Sequence, residues 1–466
     1  MPARRCASAL TAFLGLVLAA LLLWPGDRDS VAAARGRHAL ARPRLMAGPR
    51  GRERTNPALI ALARAHIPTH SHWLASWGAA PEAASAVDNW SLSGFSDQTV
   101  REVVMLSSPG AALRVHLSNL DGRRPLIIAD ATVARAGLAG RLAGPAQPLT
   151  FDGSRALRIL PGRAVISDPV VLAVHSLERI AVSLYLPVAT GPLTYHSAAE
   201  QPVFLGGHDA VAAPGRGWVR ATGNSWYLLT AVDTLSPPRW GGAVATLGDS
   251  ITAGFRSIPG SFGAWPDDLA RRLATAPGPR LAVIDEGISG NRLLQPAPCC
   301  GPSALARFGS DVLDQADVRD VIVLEGINDI GYSHSPSPLT VPHTQVSAQQ
   351  VITAEQQLID AAHSAGLRIF GATLLPFRGA RYWTPAGEQV REAINTWIRS
   401  SHAFDGVIDF ATVMASPSDP QRLNPQYDSG DHLHPNEAGY AAMAQAIQLT
   451  ELTSPGTGAN RRARGR

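Results

Sequence analysis

Thr246-Leu247-Gly248-Asp249-Ser250-Ile251-Thr252-Ala253-Gly254 follows the apolar run Gly242-Ala243-Val244-Ala245 and precedes a helical pattern that opens near Ala264. A buried strand ending in a glycine-flanked turn delivers a serine hydroxyl to the carboxyl edge of a sheet, where open α/β sheets take their ligands. Gly248 and Gly254 permit tight backbone there and close approach of a substrate. Gly-Asp-Ser alone also describes a plain turn capped by Asp249 and Ser250. Later stretches decide between the two readings.

Working outward, short apolar runs recur at Ala243–Leu247, Leu281–Ile284, Val321–Leu324, Arg368–Ala372 and Val407–Phe410, with helical patterns between them. Thr353 with Gln356 fits a capping box, and Gly366 ends that helix. Val390, Ala393, Ile394, Trp397 and Ile398 stand at helical spacing behind the cap and first-turn pair Thr384-Pro385. His434-Pro435 opens a last helix that runs to about Ile447. Alternating strands and helices predict a parallel sheet covered on both faces over residues 239–452.

Residues 71–238 have another character. Leu113, Val115 and Leu117 alternate with Arg114, His116 and Ser118; Ile180, Val182, Leu184 and Leu186 alternate with Ala181, Ser183 and Tyr185. Such alternation predicts half-buried strands. Turn signals at Pro109-Gly110, Asp121-Gly122, Asp152-Gly153 and Pro161-Gly162 punctuate them. The expectation is a β-sandwich of jelly-roll type. His175, His196 and His208 are too scattered for a metal site and read as surface or packed histidines.

The ends are different again. Arg4 and Arg5, the apolar stretch Ala7 to Trp24 and the small residues Val31-Ala32-Ala33-Ala34 make residues 1–34 an export signal, so the chain is expected to be secreted or periplasmic. The alternative is an uncleaved membrane anchor, the only membrane contact the sequence offers. Residues 35–70 read as an Arg/Pro/Gly-rich linker and residues 453–466 as a disordered basic tail. All 41 basic residues are arginine; 15 of them lie in residues 1–64 and 461–466, and the 26 between face 34 acids. The body is therefore acidic, and the net +4 does not announce a nucleic-acid partner. Beyond the signal only Cys299 and Cys300 remain. In an oxidising compartment they are either bridged to each other or held as two buried thiols, and the two readings weigh equally.

Three stretches follow strands two, three and five: Glu286 to Arg292, Leu324 to Asp329, and Asp428 to Pro435. In a parallel sheet they converge on the edge that carries Ser250. Acyl transfer then has its parts. Ser250 attacks a carbonyl, His434 takes its proton, and Asp431 holds the imidazole. The N–H groups of Ser250 and Gly290 and the side-chain amide of Asn328 are suitable donors to the oxyanion. Asp249 reads as a brace of its turn, Asp329 as a partner of a loop donor, and Glu325 as a partner of Arg292 or Arg307. The loop Pro376 to Trp383 is a candidate wall on the acceptor side.

Gly248-Asp249-Ser250, Gly287 to Gly290, Gly326-Ile327-Asn328-Asp329 and Asp431-His432-Leu433-His434, in that order, resemble the four blocks of the SGNH, or GDSL, hydrolase family over residues 240–450. Ala253 stands where related sequences often carry Asp. The resemblance implies a flavodoxin-like three-layer α/β/α fold, Ser250 as nucleophile, His434 as base, Asp431 as its partner, and Gly290 and Asn328 as oxyanion donors. From Trp73 through Asn119 the chain looks like the β-domain that precedes the hydrolase in one secreted branch.

The expected function is a secreted serine esterase acting through an acyl-enzyme on short-acyl, acetyl esters of carbohydrate. The alternatives are a lipase or lysophospholipase-type esterase, an O-acyltransferase with the same triad, and a non-catalytic carbohydrate-binding protein. The substrate partner is a small ester or an acylated polysaccharide. No cofactor and no metal are required; the pair His432-x-His434 lacks the Cys or Glu that would complete a metal site.

Overall fold

The computed structural model describes residues 68, 70–220 and 224–454. The expected export signal, most of the expected linker and the expected tail from residue 455 lie outside them. Among the described residues no helix is long and apolar enough to cross a membrane.

The strand-rich half is built from two antiparallel sheets. Strands His72–Gly78, Leu229–Ser236, Leu113–Asn119 and Arg163–Ile166 form one, in that spatial order. Val203–Gly207, Gln98–Met105, Arg179–Leu186 and Asp130–Arg135 form the body of the other, with short edge strands at Val219–Arg220 and Gln147–Pro148. Val115 and Leu117 of the first sheet share a core with Val100, Val104, Val182 and Leu184 of the second. The alternation read from the sequence selects these inward residues correctly. It understates what happens on the opposite face, where Ala181 and Ser183 are also fully buried. Phe262, from the other half of the chain, packs there with Val103, Met105, Ala181 and Phe204.

The α/β half carries five parallel strands: β1 Trp240–Gly248, β2 Arg280–Gly287, β3 Val318–Leu324, β4 Arg368–Ala372 and β5 Gly406–Ile408. Their order is β2-β1-β3-β4-β5, all neighbours parallel. The chain steps one way from β1 to β2 and the other way from β3 to β5. Right-handed crossovers therefore place helices on both faces and open a crevice at the carboxyl ends of β1 and β3. Helices α1 Trp265–Thr275, α2 Ile327–Gly331, α3 Ala348–Ser364, α4 Pro385–Ser400 and α5 Glu437–Ala446 supply the layers. α1 packs with α5, and α3 with α4.

Two boundaries differ from expectation. The capping box of α3 is Ser347 with Gln350, each side chain accepting the other's backbone N–H. Thr353 lies inside the helix and donates its hydroxyl to the Gln349 carbonyl. The earlier start lets Val351 join Ala354, Leu358 and Ile359 on the buried face. Helix α5 is capped by Asn436, not opened by His434-Pro435.

The two halves form one compact unit. β2 is an edge strand, and an open edge invites unwanted pairing. Here the strand-rich half covers it. Ser107 Oγ accepts the Val283 N–H at 3.0 Å and donates to the Ser76 carbonyl at 2.7 Å. The Ala75 N–H reaches the Ala316 carbonyl.

Candidate active site

The turn after β1 begins with Asp249, whose carboxylate accepts the Ile251 N–H at 2.8 Å, the brace expected of it. That bond points the next residue, Ser250, out of the strand end. Ser250 Oγ lies 2.9 Å from His434 Nε2. His434 Nδ1 lies 2.7 Å from Asp431 Oδ2, while Asp431 Oδ1 accepts the N–H groups of Leu433 and His434. Three residues separated by as many as 184 positions thus form one hydrogen-bonded line. Burial alone would raise the Asp431 pKa. The hydrogen bond and charge of His434, with the two backbone donors, outweigh it and hold the carboxyl well below its usual range. Asp431 stays ionised and keeps the imidazole turned toward Ser250. Phe255 meets the His434 ring edge-on at 4.8 Å, and Tyr440 fixes Phe255 by donating to its carbonyl.

The proposed oxyanion donors are linked through their chain neighbours: the Asn328 amide touches Asp249, which precedes Ser250, and Asn291, which follows Gly290. Among the described residues the N–H groups of Ser250 and Gly290 make no hydrogen bond. Gly290 holds φ +79°, and a Cβ there would come within 2.4 Å of Tyr332 Oη and 2.5 Å of Cys300 Sγ. Only glycine fits. Cys300 is bridged to Cys299, which decides the alternative that the sequence leaves open, and the bridge rests directly on Gly290. Asn328, in the first turn of α2, is nearly fully buried. Its amide donates to the Asn291 carbonyl at 2.9 Å and, over a long 3.4 Å, to Asp249 Oδ2.

The sequence offers Arg307 only as a partner for Glu325, and its position shows a larger part. Its guanidinium bonds Asn291 Oδ1 and the carbonyls of Gly248 and Glu286, and pairs with Asp311. One buried cation thereby ties the ends of β1 and β2 to the loop that carries Gly290. Arg292 spends its donors on the carbonyls of Gln295, Pro296, Val341 and Pro342. The expected pairing of Glu325 with either arginine is therefore not formed. Both Glu325 oxygens lack a hydrogen-bond partner, and burial, then the neighbouring Asp249, push its pKa well above the ordinary value. Asp329 meets its expectation by accepting the N–H groups of Leu293 and Leu294.

His432 and His434 each have a carboxylate of their own. His432 Nδ1 sits 2.6 Å from Asp428, apart from the Ser250 line. The scattered histidines read as packed or superficial: His196 is buried against the Ala80 carbonyl, and His208 is an exposed partner of Asp97. Beside Asp431 lies a cavity of about 250 Å³, lined by His334, Ser335, Ala380, Arg381, Tyr382 and Leu433 among others. The loop 376–383 thus does form a wall beside the site. Tyr382 in that loop, like Arg307, carries no local motif, and nothing in its immediate sequence marks it.

Residues 246–442 match the GDSL-like lipase/acylhydrolase family. Among solved structures, the chain is similar to an acetylxylan esterase from Geobacillus stearothermophilus (23% identity, 46% of this chain and 96% of that one, TM-score 0.35). It is also similar to a GDSL-like lipase from Bacteroides thetaiotaomicron (19%, 45% and 87%, 0.35). A third is an α/β hydrolase from the metagenome of Lake Arreo (21%, 47% and 98%, 0.35). No curated protein matches the chain.

Proposed function

From the match of residues 246–442 to the GDSL-like lipase/acylhydrolase family we propose that this chain is a serine ester hydrolase, with Ser250, His434 and Asp431 as its catalytic triad and short-acyl esters of carbohydrate as its substrates. The observation that carries the assignment is the continuous line Ser250 Oγ–His434 Nε2–His434 Nδ1–Asp431 Oδ2. Ser250 Oγ bonds to the acyl carbon as its proton passes to His434 Nε2, and the carbonyl oxygen takes up the negative charge. His434 then gives that proton to the leaving alcohol, and the acyl group stays on Ser250. Water repeats the sequence and releases the acid. The N–H groups of Ser250 and Gly290 and the Asn328 amide receive the oxyanion.

A small substrate is supported by the cavity beside Asp431. Its volume of about 250 Å³ falls below the ~300–1,000 Å³ of pockets for drug-sized ligands. Its mix of Tyr382, Leu433 and Ala380 with His334, Ser335 and Arg381 suits a sugar or short acyl group better than a long lipid chain. Export by residues 1–34 belongs to the same proposal, since acylated polysaccharides are met outside the cell. The test is a panel of p-nitrophenyl acyl esters, acetylated polysaccharides and lysolipids, with Ser250→Ala as control. Acetyl esters are expected to be cleaved fastest, a fluorophosphonate to label Ser250, and Ser250→Ala to lose nearly all activity while folded. Labelling elsewhere with an active Ser250→Ala overturns the triad, and preference for long-chain lysolipids overturns the substrate class.

A further inference from the structure

Tyr382 stands in the loop between β4 and α4, remote in sequence from all four motif blocks. Its hydroxyl donates to Asn328 Oδ1 at 3.2 Å. With Asn291 and Asp249 taking the Nδ2 hydrogens, every polar atom of the Asn328 side chain is engaged. The three bonds differ in quality. The Asp249 leg, at 3.4 Å, is the longest and the one an oxyanion can displace at least cost. The Asn291 carbonyl and Asp249 carboxylate, which only accept, set which way the amide faces, and the Tyr382 hydroxyl holds it there by donating to Oδ1. Turned over by half a rotation, Asn328 would present Oδ1, an acceptor, to a developing negative charge.

Filling space does not explain the hydroxyl. The ring packs on Gly331, where a Cβ would come within 2.4 Å of Tyr382 Cδ2. It meets Tyr332 edge-on at 6.2 Å and Phe377 at 6.1 Å. Phenylalanine would make all of those contacts. The side chain is half-buried, and the partner its hydroxyl takes inside the protein is Asn328. Burial, then the adjacent Tyr332, raise the phenol pKa well above its ordinary value, so it remains a donor. The same ring lines the cavity beside Asp431.

We propose that Tyr382 is a positioning residue for the oxyanion donor: its hydroxyl locks the Asn328 amide with Nδ2 toward the reacting carbonyl, joining the substrate cavity to the oxyanion site through one side chain. This rests on the esterase reading above. The test is a double-mutant cycle on p-nitrophenyl acetate with Tyr382→Phe, Asn328→Ala and the pair. Tyr382→Phe is expected to lower kcat roughly tenfold or more with KM changed less than about twofold. In the Asn328→Ala background it should cost nothing further. Affinity for a boronic acid that mimics the tetrahedral intermediate should fall by the same factor as kcat/KM. Gly331→Ala, in ordinary helical backbone, should reproduce the kcat loss by displacing the ring. An equal Tyr382→Phe effect in both backgrounds, or no effect in the native one, overturns this role while leaving the esterase reading intact. Full activity in both Ser250→Ala and Asn328→Ala overturns the two together.

Discussion

Phe262, in the loop that follows Ser250, lies beneath Arg179 of the strand-rich half, with the guanidinium carbon 4.6 Å from the ring centroid. The same loop carries Phe255 against His434, and its Gly260 N–H bonds the Glu200 carbonyl. The strand-rich half therefore grips the segment that packs on the His434 imidazole. Phe262→Ala removes a buried ring and is expected to destabilise the protein by about 3 kcal/mol. It should also lower kcat/KM, because Phe255 loses its support. Denaturant unfolding and esterase kinetics on the same preparation check both. Unchanged kinetics alongside lost stability would confine Phe262 to packing.

Asp431 has two nitrogen-bearing neighbours of unequal weight. His434 Nδ1 is 2.7 Å away, whereas Arg256 Nε is 3.5 Å away on a side chain more than half exposed. A solvent-screened pair of that kind contributes about 0–1 kcal/mol. Asp431→Asn should therefore cut kcat on the order of 10⁴-fold, by releasing the imidazole tautomer. Arg256→Gln should change kcat/KM less than about fivefold. A larger Arg256→Gln effect at low salt that vanished at high salt would show long-range charge acting on substrate instead.

Glu82 bridges the two halves. Its Oε1 accepts the N–H and hydroxyl of Ser197, its stem lies against Gly301, and its Oε2 has no partner. Burial raises its pKa from 4.5 to about 7, against the pull of Ser197 and Arg307 and with a small push from Asp121. Between those values the folded protein holds a proton that the unfolded chain releases, so the stability it contributes is lost as pH rises from about 4.5 through about 7. In Glu82→Gln that part of the slope should disappear, on the order of 2–3 kcal/mol. Melting temperatures of both proteins from pH 5 to 8 measure it. Parallel curves would show that Glu82 is ionised in the native state.

The meeting of Ser250, His434 and Asp431 was legible because acyl transfer demands a few residue types at fixed local spacing. Each block writes that spacing into contiguous sequence. The parallel sheet was legible too, since buried strands such as Val321–Leu324 are apolar throughout. Arg307 and Tyr382 were not. Each acts by meeting a remote partner, Asn291 or Asn328, and an arginine or a tyrosine in a loop looks the same whether or not that meeting occurs. Ala181 and Ser183 misled for a related reason: the pattern showed one apolar face, and what covers the other is remote in sequence, Phe262 over Ala181 and the Arg101 guanidinium on Ser183. The displaced cap of α3 has a local cause. Ser347–Gln350 and Thr353–Gln356 fit the same pattern, and burial of Val351 selects the first.

The cover that Phe262 provides has a consequence for how the molecule is made. Synthesis runs from the amino terminus, and the early part of a chain begins to fold before the rest has emerged. When Pro238 leaves the ribosome, every strand of both antiparallel sheets has been translated. Val103, Met105, Ala181 and Phe204 nevertheless still await the ring that will shield them. The nascent sandwich thus keeps an apolar patch that its own Leu142 and Trp218 cover only in part until residue 262 arrives.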